Sequence, residues 1–286
     1  VPRVTVVGSV NMDLVFDVAE LPGPGQTVLA TDLRRSPGGK GGNQAVAAAR
    51  VGATVTLVAA LGSDGTGDAL AAHLRDNGVG LDGVVRLPLP SGTAAIPVST
   101  ANAENMIVVA PGANAHLTLD DPRLREIVAA ADVVLLQLEI PVATALAAAR
   151  QARHAGAAVI LNASPGGADP AALAELAAVV DVVVVNETEA AQWRWPVPYL
   201  VTTRGADGVT VLSDARRFEV AAPPVEAIDT SGAGDVFAGV LAASWCAMTP
   251  ERAVRRAAAA GALATLVPSA GDCAPTDEMI KDVLAR

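Results

Sequence analysis

A chain of 286 residues that is 51% apolar but only 2% aromatic can bury one large α/β core, or two small ones, built mainly from small side chains. Its formal net charge of −10 argues against a nucleic-acid-binding surface, and no charge-free apolar run reaches membrane-spanning length. No signal-peptide pattern stands at the N-terminus, so Cys246 and Cys273 are expected to be reduced thiols in a cytoplasmic protein.

Arg3 to Ser9 reads as a strand buried on both faces, with Val4, Val6 and Val7 running up to Gly8. Asn11 and Asp13 follow at its C-terminal end, where open α/β sheets place ligands, although both residue types also favour plain turns. Residues 14–36 break the α/β rhythm. Leu14–Phe16 and Thr27–Ala30 alternate around the turn Leu21–Gly25, the pattern of a hairpin excursion. A second such pair, 93–100 and 105–109, lies within residues 91–110 around Ala101–Glu104. Between the excursions, Gly38-Gly-Lys-Gly-Gly-Asn43 precedes a helix expected over Gln44–Val51. Its glycines admit a close backbone approach, and Lys40 and Asn43 supply donors; a flexible loop entering a helix has the same composition. The spacing is not that of a Walker A loop, because Gly41 stands where Ser or Thr belongs, and no G-x-G-x-x-G follows a strand.

Strands expected at 54–60, 132–138, 157–162 and 181–185 alternate with helices at 66–77, 121–130, 141–155 and 170–178, which specifies a parallel sheet. Glu139 and Asn162 close two of these strands at the ligand edge. Asn186-Glu-Thr-Glu189 follows the last of them. Glu189 could hold a water of a Mg²⁺ shell and Asn186 could donate to a phosphate, or the pair could simply open a helix, where Glu suits the dipole. Tyr199–Thr203 reads as a further strand, and Thr203, Arg204, Gly205 and Gly208 make a turn that can also receive a phosphate. Asp229-Thr-Ser-Gly-Ala-Gly-Asp235 then opens an Ala-rich helix expected from Val236 to Ala247. The first N–H groups of such a helix lack internal partners and sit at its positive end, an anion site at Gly232, Ala233 and Gly234. Asp235 beside them suits general-base work. An ordinary helix start after a Gly-rich turn has the same wording.

The stretches 229–235 and 38–43 resemble the C-terminal and N-terminal signatures of the ribokinase-like (PfkB) carbohydrate kinases, and the resemblance runs from Val4 to about Pro275. It implies a three-layer, Rossmann-like, mainly parallel α/β core (1–13, 37–90 and 111–286) with a small β-sheet lid (14–36 and 91–110). It implies transfer of the γ-phosphoryl of ATP to a primary hydroxyl, O5 of D-ribose, with another sugar or a nucleoside as the alternative acceptor. Asn11, Asp13, Gly39, Lys40, Asn43 and Glu139 would hold the sugar, with Asp235 as base. Asn186, Thr203, Gly205, Gly208 and Gly234 would hold ATP, with Ala260–Thr265 beside the adenine. Glu189 would hold Mg²⁺ through water. Asp229, Ser231 and Gly271 would hold a monovalent cation such as K⁺, and the lid would pair two copies into a homodimer. A non-catalytic sugar-binding homologue would have lost Asp235 or the Asn186/Glu189 pair, and neither is lost.

Two departures from the family pattern stand out. Gly271-Asp-Cys-Ala-Pro275 does not keep the usual cation-loop wording. The connection from Ala190 to Pro198 is too short for both a first turn and a full crossover helix. In place of that helix, Trp193, Trp195 and Pro196 are expected to lie buried over the sheet beside Tyr199–Val201.

Overall fold

The computed structural model describes residues 1–286 apart from Ala103, Ala215 and Arg286. From the N-terminus, β1 (Arg3–Val7) leads into β2 (Asn11–Val18) and β3 (Asp32–Gly38). Then come α1 (Lys40–Arg50), β4 (Thr54–Gly62), α2 (Gly65–Asp76) and β5 (Gly80–Leu87), followed by β6 (Gly92–Ser99) and β7 (Val108–Ala110). The middle of the chain alternates α3 (Pro122–Ala129), β8 (Val133–Leu136), α4 (Val142–His154), β9 (Ala158–Asn162), α5 (Pro170–Ala177) and β10 (Val182–Asn186). A one-turn α6 (Glu187–Ala190) precedes β11 (Tyr199–Thr203), β12 (Val209–Ser213) and β13 (Arg217–Val220). Three helices end the fold: α7 (Ala233–Trp245), α8 (Pro250–Ala264) and α9 (Asp277–Leu284).

The nine-stranded sheet has the order β13-β12-β11-β10-β9-β8-β1-β4-β5. It is parallel from β11 to β5, with β12 and β13 added as an antiparallel edge. Successive valines point to opposite faces of a strand, which divides the interior in two. Val182 and Val184 join the core beneath α1, α2, α7 and α8, whereas Val183 and Val185 join the core beneath α3, α4 and α5. Helices on both faces make three layers. A separate four-stranded sheet, β3-β2-β6-β7, stands off the ligand edge of the large one.

Several boundaries differ from the sequence reading. Thr27–Ala30 forms no strand, and the partner of β2 is Asp32–Gly38 instead. Asn11 and Asp13 lie in β2 itself, not in a turn. The Gly-rich run is no loop: α1 begins at Lys40, because Gly41, having no Cβ, lets the helix rest on the backbone of Gly8 and Ser9. In the short crossover only part of the expected packing occurs. Trp193 packs on the second core with Val197 and Leu200. Both Trp rings are half-buried, at 5.2 Å and edge-on, and Pro196 is exposed. The Trp193 indole N–H donates to Trp195 O at 2.9 Å, which holds Trp195 on the outside of that cover. Trp245 is half-buried against Tyr199. Both cysteines are free thiols, and no helix among the described residues is long and apolar enough to cross a membrane.

Candidate active site

The C-terminal ends of β1, β8, β9 and β10 and the N-termini of α1 and α7 converge on one cleft. On one side of it, the buried Asn11 is held by Asn114, whose Nδ2 donates to Asn11 Oδ1 at 2.8 Å and whose Oδ1 accepts from Val10 N at 3.0 Å. Gly39 has a positive φ of 85°, and a Cβ there would strike the backbone of Val10 and Asn11, so only glycine fits between α1 and β2. Glu139 Oε2 accepts from Ser9 Oγ at 2.5 Å and from Lys40 N at 3.0 Å, which ties it to the positive end of α1. Asp13 packs on Gly38 with no donor reaching it among the described residues. Burial, and then the charges of Glu139 and Asp235, push its carboxyl up to about 7. Burial works to lower the Lys40 ammonium, but Asp235, Glu139 and Glu189 outweigh it and hold the pKa above its ordinary value.

Asp235 lies in the first turn of α7 and is buried. Both its oxygens accept from α1: Oδ2 from Asn43 Nδ2 and Oδ1 from Gln44 Nε2, each at 3.0 Å. Gly232 caps α7 in the left-handed region, with Ala270 packed where a Cβ would stand. The three amides expected to face an anion are not equivalent. Ala233 N donates to Thr230 O at 3.3 Å, while Gly232 N and Gly234 N have no backbone acceptor among the described residues. The tight turn entering the helix causes the difference.

A cavity of about 140 Å³ runs from Asp235 and Lys40 past Gly234 to Asn186, Glu189 and Thr203. Asn186 and Glu189 open α6 there. They form a capping box, Glu189 N to Asn186 Oδ1 at 2.8 Å and Asn186 N to Glu189 Oε2 at 2.9 Å. Asn186 Nδ2 and the second Glu189 oxygen are not used by it. Thr203 and Gly234 also border a second, mainly apolar trough of about 610 Å³, with Gly205 and Gly208 at its rim and Ala258 and Gly261 on α8, with Thr265 just past its end, as its wall. Gly208 has φ 85° and backs onto Val220 O, where no side chain fits.

The loop before α7 meets the loop before α9. Asp229 Oδ1 accepts from Ser231 N at 2.8 Å and Oδ2 from Ser269 N at 3.0 Å. Burial would raise its carboxyl, but these bonds hold it below the ordinary carboxylate range. Ser269 Oγ is buried without a partner among the described residues, and the Cys273 thiol points at the carbonyls of Ser231 and Ala270. Gly271 packs against Pro37 O. No group of three or more His, Cys, Asp or Glu able to hold a metal occurs among the described residues.

Four residues in this region were not singled out from sequence: Ser9, Gln44, Asn114 and Gln137. Two of them, Gln44 and Gln137, carried a signal. Gln44 precedes an unbroken apolar stretch of helix, and Gln137 interrupts an apolar strand, so each is a polar side chain bound for the interior.

A buried carboxylate at a helix N-terminus, set between a polar cavity and an apolar trough, is arranged to move a phosphoryl group onto an alcohol, and relatives of this chain are phosphotransferases of that class. The chain belongs to the pfkB family of carbohydrate kinases, which residues 1–195 and 197–277 match. It is similar to the ribokinase of Bacillus subtilis, 34% identical with 99% of each chain covered. It is also similar to the deoxyribokinase of Salmonella typhi, 32% identical with 84% of each covered. The structure of Arabidopsis thaliana ribokinase complexed with ribose and ATP superposes with a TM-score of 0.91 at 29% identity, covering 100% of this chain and 99% of that one. The family match is interrupted at residue 196, inside the short crossover, so that departure is local.

Proposed function

We propose that the chain transfers the γ-phosphoryl group of ATP to O5 of D-ribose, giving ribose 5-phosphate. The observation that carries this reading is the place of Asp235, buried where the polar cavity meets the sugar-side cluster of Asn11, Asp13, Lys40 and Glu139. The names of the relatives support the acceptor: ribokinase in Bacillus subtilis, and a ribokinase complexed with ribose and ATP in Arabidopsis thaliana.

Asn11, Asp13, Gly39, Lys40, Asn43 and Glu139 bind the sugar hydroxyls. Asp235 takes the proton from O5 as the new O–P bond forms. The N–H groups of Gly232 and Gly234, with a smaller part from Ala233, and the Lys40 ammonium stabilise charge on the transferring group. Asn186, Thr203, Gly205, Gly208 and Gly234 hold the phosphates of ATP, whose base lies in the apolar trough. Mg²⁺ would be held through water by Glu189 and would neutralise the phosphate oxygens. The sparse donor set, one carboxylate oxygen beside an amide, fits an ion that keeps most of its waters.

Asp229, Ser231 and Gly271 would hold a monovalent cation; the oxygen-rich loops and the orphaned Ser269 Oγ fit one, and turnover in K⁺ above that in Na⁺ is expected. Residues 14–36 and 91–110 act as the lid over the core segments 1–13, 37–90 and 111–286, excluding water from the transfer. The lid also carries exposed apolar residues, Leu29 at 88% and Val108 at 63%, which a homodimer would cover. Light scattering at micromolar concentration checks this, with a dimer expected. Free thiols fit a cytoplasmic setting.

The likeness to a deoxyribokinase supports 2-deoxyribose as a second reading of the acceptor. A coupled ADP-release assay over pentoses, 2-deoxyribose, hexoses and nucleosides decides: ribose is expected to give the highest kcat/KM, and any other acceptor that exceeds it replaces ribose in this reading.

A further inference from the structure

Behind Asp235 runs a line of buried amides that the transfer chemistry does not itself require. Gln44 Nε2 donates both to Asp235 Oδ1 at 3.0 Å and to Asn162 Oδ1 at 3.1 Å. Gln44 Oε1 accepts from Gln137 Nε2 at 2.7 Å. Gln44 and Gln137 are wholly buried, and Asn162 is 8% exposed. These groups come from α1, β9 and the end of β8, elements far apart in the chain.

The polarity of the line follows from its far end. Asn162 Nδ2 donates to Val184 O at 3.3 Å, and a backbone carbonyl can only accept. Asn162 therefore turns its oxygen toward Gln44, so Gln44 must present its NH₂ group. Both hydrogens of that group are then committed, one to Asn162 and one to the Asp235 carboxylate. Gln44 Oε1 is left facing Gln137, which answers with its own NH₂. A reversed Gln44 would set its oxygen against Asn162 Oδ1 and a carboxylate, and both contacts would be repulsive.

The arrangement is not the one that stability alone would favour. Gln137 Oε1 is buried with no partner among the described residues, which is destabilising. It also occupies the space beside Gly8 where a Cβ would stand, so the residue that follows β1 has to be glycine. An apolar pair at 44 and 137 would fill the same space without an orphaned acceptor.

We infer that Gln44, with its orientation fixed by Gln137 and Asn162, is a positioning residue that sets the plane of the Asp235 carboxylate. With Asn43 on Oδ2 and Gln44 on Oδ1, the carboxylate is fixed at both oxygens and cannot rotate, and its remaining lone pairs keep one direction toward the cleft. The base is thus aimed before the sugar arrives, and misaiming it lowers turnover without loosening the sugar. This inference rests on the reading of Asp235 as the base.

The test is a set of variants assayed for ADP release with ribose: Gln44→Met and Gln137→Met, singly, together, and each in the Asp235→Asn background, with thermal unfolding confirming that each is folded. Gln44→Met is expected to lower kcat roughly 10- to 100-fold, the scale of a misplaced reacting group, with the sugar KM nearly unchanged. Gln137→Met is expected to lower kcat less, and the pair no more than Gln44→Met alone, because both act along one line. Neither is expected to lower the residual turnover of Asp235→Asn. An unchanged kcat in Gln44→Met overturns the inference. So does a loss that appears in KM, or one that persists in full in the Asp235→Asn background. Should Gln44→Met not fold, Gln137→Met reads the same coupling one residue further back. The base assignment fails separately, if Asp235→Asn itself keeps its turnover.

Discussion

The two ends of the cleft are built on opposite plans. At the sugar end, Asn11, Asn43, Gln44, Glu139 and Asp235 are each held by at least one hydrogen bond to another side chain, and all but Glu139 are buried. At the nucleotide end, Thr203, Gly205 and Gly208 sit on an edge hairpin, and the trough is walled by Ala258, Gly261 and other small side chains. On the proposed reading, geometry is fixed where bonds change, and only shape and apolar surface are supplied for the adenosine. Substitutions at the sugar end should therefore act on turnover or carry a pH signature, and those at the nucleotide end should act weakly and on ATP alone.

The largest expected effect is that of Asp235→Asn. Loss of a general base should cut kcat by roughly 10² to 10⁴, with ribose affinity little changed because Asn keeps its hydrogen bonds. Retention of more than about a tenth of the turnover would break the contrast at its centre.

Asp13 comes next. Its carboxyl is raised from 3.8 to about 7 in the folded protein. A raised pKa means that the folded state favours the proton, so this group's contribution to stability is complete below the unfolded value and is lost as the pH rises through about 7. If Asp13 holds the sugar as proposed, its ionised form is the stronger acceptor for hydroxyls, so ribose affinity should fall by up to roughly tenfold between pH 8 and pH 6. Asp13→Asn should flatten that profile, weaken ribose binding, and raise the Tm of the sugar-free protein at pH 8. Calorimetric titration and unfolding at the two pH values check both halves.

Glu189→Ala should move the Mg²⁺ dependence of kcat to higher concentration, with ribose binding intact. Superimposable Mg²⁺ titrations would remove Glu189 from the phosphate end. The smallest effect is expected for Gly261→Ala. Its Cβ would approach Ala233 O at 3.3 Å and nothing closer, so the KM for ATP should rise only a few-fold, with kcat and the ribose KM unmoved.

The α/β rhythm was legible because β1, β8, β9 and β10 are buried on both faces and read as near-continuous runs of Val, Leu and Ile. The small sheet was less so. Thr27–Ala30 alternates as a strand should, yet the strand forms at Asp32–Gly38, where Gly38 pairs with Asn11. On an excursion exposed for most of its length, alternation carries little information about register. The roles assigned to Asp235 and Asn43 came from motif wording, but their direct contact joins residues 192 apart, and no local pattern encodes that. Trp193 packs on the second core but stays half-buried, and Trp195 packs edge-on against Trp193 instead of joining that core.

The packing of α1 against α7 is made of the smallest side chains available. Ala45, Ala47 and Ala48 face Ala238, Ala242 and Ala243 in one core, and Gly239 lies so close that a Cβ would meet Ala47 Cβ at 2.9 Å. Most interiors lose function by drifting toward smaller residues and cavities. Here there is almost nothing left to remove, so the inherited changes that matter are additions, each methyl forcing the helices apart at a cost of about 1–3 kcal/mol. Asn43 and Gln44 ride on one of those helices and Asp235 on the other. A lineage of this enzyme therefore cannot accumulate bulk at that seam as neutral variation, since what spreads the two helices also draws the donors away from the base.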